Sequence, residues 1–282
     1  MKRLLFSFAV IAMTAIAANA QKAKFDVNND TNVNTADVVA IYNYIITGDA
    51  QEMKKQSFVV EGVAFTMMPV EGGTFMMGAT AEQINADSDE KPAHQVTLSS
   101  YYIGQTEVTQ ELWEAVMGSN PSYLKGDKLP VDVVSWNDCQ TFIQKLNQLT
   151  GKKFRLPTEA EWEFSARGGN KRMGYHYSGS NDIDEVAWYS SNSDNKTHPV
   201  ASKQPNELGI YDMSGNVWEW CSDWYGGYSS EAQTNPTGPT SGSYRVFRGG
   251  SWRSGAASCR TANRNDDAPT GSSNYLGLRL AL

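Results

Sequence analysis

The chain has 282 residues, a formal net charge of −7 at pH 7 and three cysteines. An acidic chain of this kind has no overall attraction for nucleic acid or for an anionic membrane surface, so its charge argues against both as partners. Eight Trp and thirteen Tyr supply bulky side chains for a core. The length suffices for one large domain with a small additional segment.

The amino terminus (residues 1–20) has the three parts of a secretory signal peptide. Lys2 and Arg3 form the charged region, residues 4–18 are apolar, and residues 18–20 (Ala-Asn-Ala) are a cleavage site of small residues. The alternative is a membrane anchor, but the apolar stretch is shorter than the roughly 20 residues that span a bilayer. We expect cleavage near Ala20, a secreted, periplasmic or cell-surface location, and no membrane span.

A loop rich in side-chain oxygen atoms follows the signal peptide. Its first, third, fifth, seventh and twelfth positions are Asp26, Asn28, Asp30, Asn32 and Asp37. This spacing suits a hard cation such as Ca²⁺. An apolar helical face follows the loop and ends before Gly48. Residues 21–48 therefore predict an EF-hand-like segment, and the polar residues 49–57 predict a linker.

Residues 26–46 resemble one calcium-binding repeat of a dockerin, the module that joins secreted bacterial enzymes to cohesins. The sequence departs from the repeat at Thr31, where the sharp turn prefers glycine, and it contains no second repeat. Three interpretations stay open. The segment binds calcium weakly, it docks to a cohesin, or it is a polar linker with a short helix.

Residues 58–282 alternate between strand and helix patterns. Short apolar runs at residues 58–65 and 96–103 indicate strands. Helical spacing at residues 110–117 and 135–149 predicts two amphipathic helices, and Thr109 is a suitable cap for the first. Pro157 and Thr158, followed by two glutamates, predict a short third helix. Two main helices in a loop-rich framework of strands indicate an α+β domain.

Seven short sequence motifs of this domain occur in an order that is typical of one protein family. They are residues 68–78, 107–109, 129–136, 155–163, 209–220, 248–252 and 277–279. The set resembles the formylglycine-generating enzyme family (sulfatase-modifying factor domain), over about three quarters of the chain. The resemblance implies a variant of the C-type lectin fold. The family uses this fold to oxidise a sulfatase cysteine to formylglycine with copper and oxygen.

The resemblance also implies a structural calcium site in the turn at residues 212–219. The matching ligands are the side chains of Asp212 and Glu219 and the backbone carbonyls of Gly215 and Val217. Mixed carboxylate and carbonyl oxygen is a ligand set that Ca²⁺ prefers. A turn closed by hydrogen bonds alone is the alternative.

The family's oxidase uses two cysteines separated by four residues, shortly after the Gly-Gly-Ser-aromatic motif that contains Ser251. In this chain the first position is Ser254 and the second is Cys259. A Cu(I) site needs two soft thiolates, and a serine hydroxyl is neither soft nor ionised near neutrality. These family active-site positions are therefore expected to be inactive and to hold no copper.

The cysteines have other expected roles. An exported protein lies in an oxidising compartment, which favours a Cys221–Cys259 disulfide. Cys139 lies on the apolar face of its predicted helix and is expected to be a buried free thiol. The three histidines, at positions 94, 176 and 198, form no recognisable catalytic triad or metal motif and are expected to lie on the surface.

The carboxy-terminal residues 252–275 are rich in small and polar side chains. Candidate ligand-binding residues are Trp252, Asn263, Asn265, Asp266, Asn274 and Tyr275. Many residue types here can be reached from an asparagine codon by changing its adenines. This pattern resembles the variable proteins of diversity-generating retroelements, although a solvated polar loop explains the composition equally simply.

Three functional hypotheses follow from the sequence. The first is a binding domain that presents residues 252–275 to an unknown protein or glycan. The second is an enzyme, either a sulfatase-maturing oxidase or a cysteine-independent relative. The third is a variable display protein of a diversity-generating retroelement. Because Ser254 replaces one of the paired cysteines, the sequence favours the first hypothesis.

Overall fold

The computed structural model describes residues 53–282. The chain divides into two units, Met1–Met53 and Lys54–Leu282, and the second is the domain described below. The predicted signal peptide and the predicted calcium loop with Asp26, Asn28, Asp30, Asn32 and Asp37 lie outside the described residues. Within residues 53–282, no helix is both long enough and apolar enough to cross a bilayer.

Short strands and helices joined by long loops make up the domain. The strands are β1 (Gln56–Val60), β2 (Val63–Val70), β3 (Gly73–Met77), β4 (His94–Leu98), β5 (Tyr101–Gly104), β6 (Trp218–Trp224), β7 (Gln233–Thr234), β8 (Arg245–Arg248), β9 (Arg264–Asp267) and β10 (Leu276–Leu278). The α-helices are α1 (Gln110–Met117), α2 (Trp136–Thr150), α3 (Glu159–Ala166) and α4 (Ile183–Val186). Single 3₁₀ turns occur at Ser88–Glu90, Gly169–Lys171 and Ala256–Cys259.

The strands form three small sheets, with the orders β1-β2-β5, β3-β4-β7 and β10-β6-β8-β9. Most neighbours are antiparallel, but β10 runs parallel to β6 and β7 runs parallel to β4. The chain ends beside β5, where Leu282 and Tyr102 exchange two backbone hydrogen bonds of 2.9 and 3.0 Å. The α+β architecture expected from the sequence is confirmed.

A hydroxyl side chain caps each of the helices α1, α2 and α3. Thr109, Ser135 and Thr158 accept hydrogen bonds from the backbone N–H three residues later. Such caps satisfy one of the amide groups left free at a helix start. The predicted helices at residues 110–117 and 135–149 and the short helix after Pro157 are therefore confirmed to within one residue.

The predicted strands are interrupted more often than the sequence indicated. The apolar run at residues 58–65 contains a two-residue turn at Glu61 and Gly62, so it contributes to both β1 and β2. The run at residues 96–103 likewise divides into β4 and β5. Strand β1 begins at Gln56, which lies inside the predicted linker.

The core consists of two clusters on opposite faces of the β10-β6-β8-β9 sheet. Trp218 and Trp220 of β6 pack with α1 and α2 in one cluster, where Trp113 stacks on Phe142 at 4.8 Å between ring centroids. Cys221 packs with Trp162 in the second cluster. Because side chains alternate along a strand, β6 serves both clusters. This doubly buried sheet is the support for the carboxy-terminal loops.

Candidate functional site

The first family cysteine position is occupied by a serine that closes a turn. Gly249 and Gly250 have φ values of 102° and 76°, and the chain then turns at Ser251. The Ser254 hydroxyl accepts a hydrogen bond from the Ser251 N–H at 3.0 Å, and the two hydroxyl oxygens are 3.0 Å apart. The Ser254 N–H returns a bond of 2.9 Å to the Ser251 carbonyl. Ser254 therefore has a structural hydrogen-bonding role.

The second family position, Cys259, is closed off from solvent. Its side chain is fully buried beneath Gly250, where an added β-carbon would lie 2.6 Å from Sγ. Burial raises the pKa of the Cys259 thiol to about 12. The thiol is therefore protonated near neutrality, and only the thiolate is a nucleophile or a strong copper ligand.

The predicted Cys221–Cys259 disulfide is not formed. Both thiols are free and buried, and they belong to different surroundings. Cys221 lies in β6 among the apolar side chains of the second cluster, whereas Cys259 packs against the Gly250 turn. An oxidising compartment favours a disulfide only where the fold brings two thiols together, and here the two sulfurs lie in separate surroundings. Cys139 is a buried free thiol, as predicted.

The predicted calcium ligands lie close to a buried arginine. Glu219 Oε1 accepts a bond from Arg279 Nη2 at 2.7 Å, and Oε2 accepts bonds from Arg279 Nε at 2.9 Å and Trp162 Nε1 at 2.6 Å. Asp212 Oδ2 accepts a bond from the Ala201 N–H at 2.7 Å. The oxygen donors suit calcium, but Glu219 is already saturated by cationic and neutral donors. A cation at Glu219 would have to displace one of these partners.

A third buried acid, Glu107, lies in the same cluster and was not identified from the sequence. It accepts bonds from Asn216 Nδ2 at 2.7 Å and from the Val217 N–H at 3.1 Å. Burial, and then the charges of Asp212 and Glu219, raise its pKa well above the ordinary value. The sequence placed Glu107 in the family motif at residues 107–109 but gave no sign that it lies beside the predicted calcium ligands.

Clusters of metal-binding side chains are absent from the described part of the chain. No group of three or more His, Cys, Asp and Glu side chains within residues 53–282 is arranged to hold a metal ion. The expectation of surface histidines is wrong for His94, which is buried with its ring 4.8 Å from that of Tyr228. It is buried because it begins β4, whose side chains alternate into the second cluster.

The carboxy-terminal segment (residues 252–275) is anchored by two buried arginines. Arg260 forms a bidentate pair with Glu90, with N to O distances of 2.5 and 2.7 Å. Arg264 forms a second bidentate pair with Glu159, at 2.7 and 2.8 Å. Bidentate pairs fix orientation as well as position. The middle of the segment is thus held rigidly against the domain.

The second pair continues into a row of alternating charges beneath the segment. Arg248 bonds both Glu159 and Glu163, and Glu163 also pairs with Arg167. Burial opposes the ionisation of Glu159, but Arg264 and Arg248 outweigh it and lower its pKa. Glu159 and Glu163 both belong to α3. The family motif at residues 155–163 therefore supplies acidic side chains that hold the carboxy-terminal segment against the domain.

The candidate ligand residues divide into buried and accessible positions. Asn263 is buried, and its amide donates to Asp87 Oδ2 at 3.1 Å and to Glu90 Oε1 at 3.3 Å. Asn263 therefore belongs to the buried base between Arg260 and Arg264, and its contact with a ligand stays a prediction. Asn265 is exposed and Asp266 is half-buried on β9.

Trp252, Asn274 and Tyr275 form a second accessible group. The Trp252 indole donates to the Asn274 carbonyl at 2.9 Å. The guanidinium of Arg253 lies 4.9 Å from the ring centroid of Tyr275 and 6.0 Å from that of Trp252. Trp252 and Tyr275 are half-buried and Arg253 is exposed. These side chains can contact a ligand without rearrangement of the base.

This fold and the sequence motifs that contribute to its core are those of a known protein family. Residues 54–282 match the sulfatase-modifying factor enzyme 1-like domain, and the chain belongs to that family. A chaperone protein, LppX of Paenibacillus barcinonensis, is 35% identical over 240 residues, which cover 67% of this chain and 79% of that protein. The formylglycine-generating enzyme of Mus musculus is 32% identical, covering 76% of this chain and 74% of that protein. The chain spans 40% of the length of the serine/threonine-protein kinase pkn1 of Chlamydia caviae, to which it is 32% identical over 83% of its own residues.

Solved structures of the same fold are also similar. Variable protein 1 of Treponema denticola is 36% identical with a TM-score of 0.74, and the match covers 82% of this chain and 99% of that protein. PvdO of Pseudomonas aeruginosa is 27% identical with a TM-score of 0.67, over 82% of this chain and 98% of that protein. The family therefore includes proteins with several names and roles, so the site must decide the function.

Proposed function

We propose that this protein is an exported binding domain of the sulfatase-modifying factor family that has no copper oxidase activity. The observation that carries the proposal is the pair of family cysteine positions. Ser254 has no thiol and is engaged with Ser251, while the single thiol of Cys259 is buried under Gly250. Two accessible thiolates for copper are thus lacking at these positions.

The binding surface would be the accessible side of the carboxy-terminal segment. Its exposed positions lie on either side of the buried run at residues 259–264 and are Arg253, Gly255, Ala257, Asn265, Thr270 and Ser272. Small and polar residues on a rigid base lose little entropy on binding and adapt their hydrogen bonds to a partner. A protein or a glycan would bind here, with Arg253, Trp252 and Tyr275 as the larger contacts.

Calcium belongs to this proposal as a structural ion. Asp212, Gly215, Val217 and Glu219 would hold it in the domain, and binding would require Glu219 to release Trp162 or Arg279. Removal of calcium with a chelator would then lower the melting temperature without abolishing the fold. If the melting temperature is the same with and without calcium, the site binds no structural calcium and Arg279 is the cation that neutralises Glu219.

A second candidate function is the display of a diversified sequence. The similarity to a protein called variable protein 1, at 36% identity over nearly its whole length, favours it. The adenine-related residue types of the carboxy-terminal segment fit the same idea. In that case the exposed positions would differ between copies of the gene, and the anchored positions would be constant.

Comparison of this locus in independent isolates tests both candidates. Diversified display predicts changes at Gly255, Asn265 and Ser272, constancy at Arg260 and Arg264, and a nearby reverse transcriptase with a template copy of the segment. A locus without these elements, with an unchanging segment, would remove the second candidate and leave the binding domain. An adjacent sulfatase gene, together with activity on a sulfatase peptide, would contradict the binding proposal.

A further inference from the structure

Strand β1 is the outer strand of its sheet, and one of its edges carries free backbone groups. The turn that joins β1 to β2 has positive φ at Glu61 (48°) and Gly62 (82°), and the register pairs Val60 with Val63. In such a two-residue hairpin the closing pair is hydrogen-bonded and the bonded pairs then alternate. Phe58 therefore bonds to β2, whereas Ser57 and Val59 point their N–H and C=O groups outward.

Three other strand edges in the described domain, those of β9, β5 and β10, are occupied. At β9, the Asp266 and Ala268 N–H groups bond to the side chains of Asn265 and Asp267 at 2.8 and 2.7 Å. Leu282 covers β5, and the Val108 N–H bonds to the Leu278 carbonyl of β10. Within residues 53–282, the backbone groups of Ser57 and Val59 have no such partner. An open edge of this kind is a template for another strand.

The side chains of β1 select one partner and one register. In an antiparallel pair of two β1 strands with the two-fold axis at Phe58, Ser57 lies opposite Val59 and Lys55 lies opposite Glu61 of the second copy. Lys55 and Glu61 are both exposed and carry opposite charges. Moving the axis to Ser57 would place Lys55 opposite Val59, and moving it to Val59 would place Lys55 beyond the end of the partner's β1. The charges therefore favour the axis at Phe58.

Apolar contacts favour the same arrangement. Val59 is 67% exposed, an unusual position for a valine of a short strand. On the opposite face, Phe58 is half-buried against Phe65 and Phe154, at 5.4 and 5.1 Å between centroids. In the register with the axis at Phe58, the two Phe58 rings form a non-hydrogen-bonded pair, in which side chains lie closest. Both exposed apolar surfaces would be covered.

The turn residue Glu61 supports a role for this edge. Its φ of 48° lies in the left-handed region, where glycine or asparagine is the usual choice for this turn. A glutamate is disfavoured there, and the residue is exposed. In the register with the axis at Phe58, Glu61 follows the last residue of β1 and faces Lys55 of the second copy.

We propose that β1 pairs with β1 of a second copy of this chain, which joins two three-stranded sheets into one six-stranded sheet. The contact is small, so the association is weak and concentration-dependent rather than permanent. It goes beyond the proposed binding function, because it would hold two carboxy-terminal segments in one assembly and so increase the avidity for a repeated ligand.

Sedimentation equilibrium of the exported protein over a wide concentration range tests the proposal. We expect a reversible monomer–dimer equilibrium in the wild type. Lys55→Glu or Glu61→Lys alone should weaken dimerisation on the order of tenfold, because each creates two like-charge pairs, and the double reversal should restore it. Lys145→Glu, which changes an exposed charge on α2, is the matched control and should have no effect.

Val59→Pro provides a second test that leaves β1–β2 pairing intact, because the lost N–H points outward. It should yield a monomer with an unchanged circular dichroism spectrum. Hydrogen exchange at the Ser57 and Val59 amides should slow as the wild-type concentration rises. A wild type that stays monomeric, a dimer that survives Val59→Pro, or charge reversals without effect would each overturn the proposal.

Discussion

Arg264 and Glu159 form a buried bidentate ion pair that joins β9 to the first turn of α3, with N to O distances of 2.7 and 2.8 Å. Replacing Arg264 by Met would leave Glu159 with the Arg248 guanidinium and the Tyr228 hydroxyl as its side-chain partners within the described domain. We expect a loss of about 3–5 kcal/mol in the free energy of unfolding, as for other broken buried pairs. Urea denaturation measures it.

Arg253 is the matched control for this prediction. It lies in the same segment but is exposed and stacks on Tyr275 without a carboxylate partner. Arg253→Met should change the unfolding free energy by only about 0.5 kcal/mol. Equal effects at the two positions would contradict the division of the segment into an anchored base and an accessible surface.

Gly250 should not tolerate a side chain. Its φ is 76°, and a β-carbon would lie 2.6 Å from Cys259 Sγ and 3.0 Å from the Ser258 carbonyl. We expect Gly250→Ala to destabilise the domain by several kcal/mol, roughly the sum of backbone strain and overpacking. Gly255→Ala, where nothing lies within 4 Å of the added carbon, is the control and should be neutral. Thermal unfolding of the two variants distinguishes these outcomes.

Asp223 should make the domain less stable as the pH rises. Burial, followed by the charge of Glu159, raises its pKa from 3.8 to about 7. Between these values the folded protein keeps a proton that the unfolded chain releases, so stability falls with increasing pH by up to about 4 kcal/mol. Asp223→Asn should therefore match the wild type near pH 4 and be more stable above pH 7. A wild type and variant with parallel pH profiles would show that Asp223 ionises normally.

The thiols provide a direct check of the corrected disulfide. All three cysteines are free and buried, so a thiol reagent should label almost none of them in the native protein. After unfolding without reductant, all three should react. A single reactive thiol after unfolding, with Cys221 and Cys259 linked in a non-reduced digest, would restore the bridge that the sequence suggested.

The sequence predicted those parts of the fold that depend on local signals. The predicted cap at Thr109, the helical spacing from Ser135 and the turn at Pro157 and Thr158 predicted the three helices to within one residue. The order of the seven sequence motifs indicated the family. In each case the residues that determine the element lie within a few positions of one another, and a single chain carries that information.

Contacts between distant residues were not predictable in the same way. Asn263 lies in a polar segment of the kind that binds ligands. Its amide nevertheless donates hydrogen bonds to Asp87 and Glu90, about 175 positions earlier in the chain. Glu107 reaches the predicted calcium turn from the start of α1. Cys221 and Cys259 have the spacing of a possible bridge, but side-chain alternation in β6 directs Cys221 into its own cluster. These contacts depend on the tertiary structure and cannot be inferred from local sequence patterns.

The most direct test of the central claim is an assay of oxidase activity. The purified protein, supplied with copper, oxygen and a cysteine-containing sulfatase peptide, should consume no oxygen and form no formylglycine above a metal-free control. A formylglycine-generating enzyme with both cysteines, assayed in parallel, shows that the conditions support turnover. Absence of turnover is the predicted result, because Ser254 replaces one thiol and Cys259 is buried. Copper-dependent conversion of the peptide cysteine by the wild-type protein would contradict the account.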